Sequence, residues 1–189
     1  KNFYEHTFEY AGVGWALEGM TSEDLRPEMS FTDEEISRAM TFLDSNLQDG
    51  EKVMAVVWRG SSSAKRYPWM EYVIGESLKR HRDLTCLVIG NSDVDLTQLK
   101  RESGNRICNT MGSFDFRTSC ALVSLCDLLV VPDTGLLHVA GAWEIPKIGL
   151  IGANTRENLT KHFVNDLSLF ADPVKAGCSP CHRLIYDVT

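Results

Sequence analysis

Residues 127–155, DLLVVPDTGLLHVAGAWEIPKIGLIGANT, constrain the fold more than any other stretch, because they read as a complete strand, loop, helix and strand. Residues 128–131 are a short apolar run ending at Pro132, which cannot donate to a sheet ladder, so the strand should stop there. Asp133, Thr134 and Gly135 form the turn. Leu136, Leu137, Val139, Ala140 and Trp143 then recur at three- and four-residue intervals, as in a short helix packed on a sheet, and Pro146 ends it. Residues 148–151 are the next buried strand. A strand leading straight into a helix leaves the first helical amides unpaired beyond the strand's carboxyl end, where the macrodipole favours an anion. A phosphate is the expected guest.

The rest of the chain repeats the same alternation. Thr32 and Glu35 form a capping box ahead of a helix carrying Ile36, Ala39, Met40, Leu43 and Leu47 on one face. Strands are expected at 53–58, 85–89, 106–109 and 167–170, and helices at 68–80, 96–101, 116–125 and 159–164. Repeated βα units with continuous apolar strands imply an α/β, Rossmann-like domain: a parallel sheet with helices on both faces. That domain is expected over residues 32–189. Residues 1–31 lack the opening strand, hold aromatics at Phe3, Tyr4, Phe8, Tyr10 and Trp15, and read as a short helix and an interdomain linker.

Composition excludes several classes. With 189 residues, 43% hydrophobic and 24% charged, the chain can build one sizeable core. A net charge of −7 argues against binding nucleic acid, which needs a surplus of Lys and Arg on one face. There is neither an apolar run near eighteen residues nor a basic-then-apolar leader. The expectation is therefore a cytoplasmic protein without an integral membrane segment, at most peripheral at the inner membrane. Of six cysteines, Cys86, Cys108, Cys120 and Cys126 sit in apolar patterns and read as buried thiols. Cys178-Ser-Pro-Cys181-His182 matches haem-attachment spacing and half a zinc site, but a structural pair of thiols or a disulfide is the better account.

Three loops leave the carboxyl ends of expected strands, where open parallel sheets bind ligands. In the first, residues 59–66, Gly60 and three serines allow backbone to approach a phosphate, and Lys65 and Arg66 supply charge; a solvated turn is the alternative. In the second, residues 90–95, a carboxylate shortly after a strand can accept both ribose hydroxyls, and Asp93, with Ser92 and Asp95 within two residues of it, lies in this loop; an N-cap for the helix at Leu96 is the alternative. In the third, the Thr134 and Gly135 amides and the Thr134 hydroxyl face the phosphates. A phosphate would repel Asp133. His138 reads either as a helix histidine bonded within the fold or, protonated, as a group able to meet an anion.

The D-T-G-L-x-H motif after a strand, together with WRGSSSAKRYP at 58–68, LVIGNSDVD at 87–95 and the pair Cys178 and Cys181, resembles glycosyltransferase family 9, the ADP-heptose:lipopolysaccharide heptosyltransferases. The resemblance spans roughly residues 50–182. It departs where the family has Gly-Pro-Thr and this chain has Gly152, Ala153, Asn154 and Thr155. It implies the C-terminal, nucleotide-sugar-binding half of a GT-B fold, with residues 1–31 the remnant of an N-terminal domain. Ser61, Lys65, Thr134, Gly135 and His138 would hold the diphosphate of an ADP-heptose donor, Asp93 the ribose, Phe114 would mark the adenine's location, and Asp133 would lie near the sugar. Lys65, Asp133 and His138 would carry the catalysis, with no metal and no cofactor besides the donor substrate. The acceptor, a lipopolysaccharide core or similar glycan, and the general base would belong to the N-terminal domain. A non-hydrolysing UDP-sugar epimerase and a non-catalytic binding or assembly module remain as alternatives.

Overall fold

Among residues 2–62, 65–90 and 94–180, which the computed structural model describes, the apolar runs form six parallel strands. They are β1 (Lys52–Val57), β2 (Leu84–Ile89), β3 (Ile107–Asn109), β4 (Leu128–Pro132), β5 (Lys147–Ile151) and β6 (Leu169–Phe170), in the order β3-β2-β1-β4-β5-β6. The helices are α1 (Phe3–Tyr10), α2 (Asp33–Asn46), α3 (Met70–Arg80), α4 (Thr97–Ser103), α5 (Phe116–Ser124), α6 (Gly135–Ala140) and α7 (Arg156–Leu159). Because side chains alternate across a strand, β1 feeds two cores. Val53, Ala55 and Val57 pack with residues of α2, α5 and α6, while Met54 and Val56 pack with α3 and α4. Both faces of the sheet are thus covered by helices, as the continuous apolar strands require. Strand order reverses between β1 and β4, neighbours paired through Met54↔Leu128 and Val56↔Val130. The loops that follow these two strands must leave the same rim side by side, which is where doubly wound sheets hold ligands.

Element ends differ from the sequence expectations for local reasons. Pro68 and Trp69 form a lead-in turn, so α3 starts at Met70. Helix α6 stops at Ala140, and Trp143 instead packs against Phe31 with ring centroids 5.7 Å apart. The helix expected at 159–164 is the earlier, single-turn α7, capped by the Thr155 hydroxyl, which accepts from Asn158 N at 3.2 Å. Strand β6 is short because Ser168 Oγ, not a backbone carbonyl, accepts from Gly149 N at 2.8 Å and interrupts the ladder after the Lys147↔Asp166 bridge. Strand β5 begins one residue early, at Lys147. This lysine is fully buried, and its Nζ donates to the carbonyls of Trp143 (2.9 Å) and Val164 (2.8 Å). Burial pulls its pKa down to about 8.

The capping box at Thr32 and Glu35 forms as its residue types demand, and Glu35 additionally pairs with Arg117 of α5, tying α2 to α5. Cys86, Cys120 and Cys126 are buried free thiols, Cys108 is half-buried and free, and Cys178 is free and exposed. Cys181 and His182 lie outside the described residues. Phe3, Tyr10 and Trp15 are exposed, yet the segment before α2 is docked on the sheet domain: Leu25 is buried, and Tyr4 and Met29 pack on the first core. Among the described residues no helix is long and apolar enough to cross a membrane.

Candidate functional site

The loops after β1 and β4 do not merely share a rim; they touch. The first is closed by Gly60 N–H donating to the Lys65 carbonyl at 3.0 Å and Lys65 N–H donating to the Ser62 carbonyl at 3.0 Å. This tight fold presses Gly60 against the second loop, so that a Cβ on Gly60 would stand 3.1 Å from Thr134 Cγ2 and 2.6 Å from Lys65 Cβ. Only glycine allows that approach. Ser61 is exposed within the same turn.

Asp133 is the electrostatic centre. Its side chain is only 14% exposed, with Lys65 Nζ 3.9 Å from Oδ2 and His138 Nε2 3.7 Å from Oδ1. Asn154, from the turn after β5, donates its side-chain amide to Oδ2 at 3.1 Å. The His138 imidazole foremost, then the Lys65 charge and the Asn154 amide, outweigh burial and hold the carboxyl below its ordinary value. Asp133 is therefore an anion at neutral pH and an acceptor for donors brought to it. The Lys65 contact is longer than a hydrogen bond, which leaves its ammonium able to serve a second anion.

Thr134 stands in extended backbone as the N-cap of α6, but its side chain makes no cap bond. Its hydroxyl oxygen is buried and has no hydrogen-bond partner among the described residues. Such an orphan costs free energy unless a ligand or water meets it. Gly135 is exposed beside Phe116. On the other flank, Lys65, Arg66 and Tyr67 line a groove of about 290 Å³ with the ends of β5 and β6, at the low end of small-molecule sites.

Lys65, Asp133, Thr134, Gly135 and His138 thus come together around one point, with Ser61 in the loop that carries Lys65. Phe114 does not join them. Its ring packs edge-on against Phe42, centroids 5.2 Å apart, and belongs to the core between α2 and the sheet. Asp93 lies outside the described residues. Its neighbour Asp95 accepts from Thr97 N at 2.9 Å, a local bond to the first residue of α4, whose N-cap is Leu96. The sequence reading missed Asn154 as a partner of Asp133; the signal was present as a polar residue just beyond a strand's carboxyl end. Among the described residues no three His, Cys, Asp or Glu side chains cluster as metal ligands.

The chain is 21% identical over 141 residues to lipooligosaccharide heptosyltransferase 2 of Campylobacter jejuni, a match covering 71% of this chain and 44% of that protein. Its fold resembles a family 9 glycosyltransferase from Veillonella parvula (TM-score 0.69, 18% identity, 93% of this chain and 52% of the other). It also resembles the ADP-heptose lipopolysaccharide heptosyltransferase II of E. coli (TM-score 0.57, 18% identity, 76% and 45%) and an E. coli heptosyltransferase solved with ADP (TM-score 0.51, 17% identity, 71% and 42%). The chain spans about half the length of these relatives. A family model described as "Glycosyltransferase family 9 (heptosyltransferase)" matches residues 9–183, and the chain belongs to that family.

Proposed function

We propose that this chain is the donor-binding half of a glycosyltransferase that holds a nucleoside diphosphate sugar, ADP-heptose, for transfer to a hydroxyl of a lipopolysaccharide core or similar glycan. The observation that carries the reading is the contact between the β1 and β4 loops, which gathers a lysine, an orphaned buried hydroxyl and a histidine around one rim position. The names of the relatives supply the base and the sugar.

In this scheme the diphosphate lies against Lys65, Ser61, the Thr134 hydroxyl and the amides of Thr134 and Gly135. Transfer breaks the bond from the anomeric carbon to the β-phosphate oxygen, and negative charge gathers on the leaving diphosphate. Lys65 and a protonated His138 meet that charge as it develops, so they act on the transition state as well as on binding. Asp133 accepts a hydroxyl of the transferred sugar. It is a weak base, because its neighbours stabilise the carboxylate, and we assign deprotonation of the acceptor to a group outside the described residues.

Thermal unfolding of the full chain with nucleotides tests the reading. ADP at about a hundred times its Kd should add roughly 2.7 kcal/mol, or about 5–10 °C in a domain of this size. Lys65→Ala should abolish the shift. Protection by UDP-N-acetylglucosamine in place of ADP would transfer the reading to a sugar epimerase; protection by neither would leave an interaction module.

A further inference from the structure

The segment ahead of α2 reaches the site. Asn2 is fully buried, and its side-chain amide donates to the carbonyls of Glu157 (3.2 Å) and Asn158 (3.0 Å) in α7. Its Oδ1 accepts from Tyr4 N at 2.9 Å while its own N–H donates to Glu5 Oε2 at 3.1 Å, a capping box that fastens the first turn of α1 to α7. Glu5 is gripped again from beyond α7: Lys161 Nζ donates to Oε1 at 2.8 Å, and His162 Nε2 lies 3.2 Å from the same oxygen. His162 is itself buried, with Nδ1 3.0 Å from Ser22 Oγ. Helix α1 has no fully buried residue of its own, and these polar contacts join the packing of Tyr4 on the first core in placing it. They set Phe3 beside His138, ring centroids 6.1 Å apart and tilted by 47°, while Phe3 stays 59% exposed.

We propose that Phe3 is a positioning residue for His138, held to that task by the clasp of Asn2, Glu5, Lys161 and His162. The inference rests on the reading of His138 as a diphosphate ligand. His138 is 31% exposed on a six-residue helix, and its Nε2 must point toward Asp133 to serve the site. An aromatic ring with its centroid 6.1 Å from that of the imidazole narrows the rotamers open to the His138 side chain. The restraint acts before the ligand arrives, so less side-chain freedom is lost on binding.

The test uses the full chain. Phe3→Ala should weaken ADP binding by roughly 3- to 10-fold in calorimetry, the size expected for one side chain left to be immobilised by the ligand. Phe3→Tyr should restore it, and Tyr10→Ala, on the same helix but 96% exposed, should change nothing. The His138 ring protons, assigned in NMR spectra with His138→Gln, give a readout that needs no nucleotide. Glu5→Gln keeps the Phe3 ring but loosens the clasp, so it should move the His138 signals toward their positions in Phe3→Ala. Signals unmoved by Glu5→Gln, or an ADP affinity as insensitive to Phe3→Ala as to Tyr10→Ala, would overturn the proposal. Wild-type chain that binds no ADP would count against the donor-site reading alone, with the NMR comparison still deciding the clasp.

Discussion

Thr134→Val separates a binding role from a structural one by the sign of two effects. The Thr134 hydroxyl oxygen is buried without a partner among the described residues and makes no cap bond. Leaving such a group unsatisfied costs about 1–3 kcal/mol, so an isosteric methyl in its place should stabilise the chain, by about 1 kcal/mol at the low end. Backbone angles of φ −141° and ψ 170° suit a β-branched residue, and valine keeps the Cγ2 methyl that packs on Gly60. For a chain of this length 1 kcal/mol corresponds to roughly 2–4 °C in Tm. Binding should move the other way. A hydrogen bond to a charged oxygen contributes about 1.5–3 kcal/mol, so ADP affinity should fall roughly tenfold or more. Scanning calorimetry reads the first quantity and titration calorimetry the second. A lower Tm would mean the hydroxyl has a partner within the fold; undiminished ADP affinity would mean the ligand never meets it. Either result refutes the reasoning.

Gly60→Ala should force the β1 and β4 loops apart, because its Cβ would meet Lys65 Cβ at 2.6 Å and Thr134 Cγ2 at 3.1 Å. Overpacking of this kind costs about 1–3 kcal/mol, and nucleotide protection should fall with it; wild-type ADP binding by this variant would show that the loop contact is irrelevant. Glu5 should give an acid-sensitive increment of stability. The Lys161 hydrogen bond, then the Asn2 amide, lower its pKa to about 2 from an ordinary 4.5. A depressed carboxyl stabilises the fold above its unfolded pKa and loses that contribution as pH falls from about 4.5 toward 2. Denaturant unfolding across that range should therefore show a shallower pH dependence in Glu5→Gln than in wild type, and identical slopes would refute the assignment.

The alternation of apolar strands with amphipathic helices was enough to specify a parallel α/β sheet, because burial on both faces leaves its mark on every residue of a strand. Capping chemistry at Thr32 was legible from its neighbours in the chain, and the loop residues Gly60, Lys65 and Asp133 to His138 stood out through local motifs after expected strands. Strand order was not. That β1 lies beside β4, and hence that Lys65 stands 3.9 Å from an aspartate sixty-eight positions later, depends on crossovers that local pattern does not encode. Phe114 looks the same in sequence whether it walls a pocket or fills a core, and its edge-on packing on Phe42 is a contact that only the tertiary structure supplies. Ser168 shortens β6 through one cross-strand bond to Gly149, a choice invisible in a run of strand formers. Asn154 beside Asp133 and Phe3 beside His138 are likewise long-range contacts. Short-range physics wrote the elements into the sequence, while the assembly of the site required the chain to close on itself, where burial and charge act between residues that are distant along it.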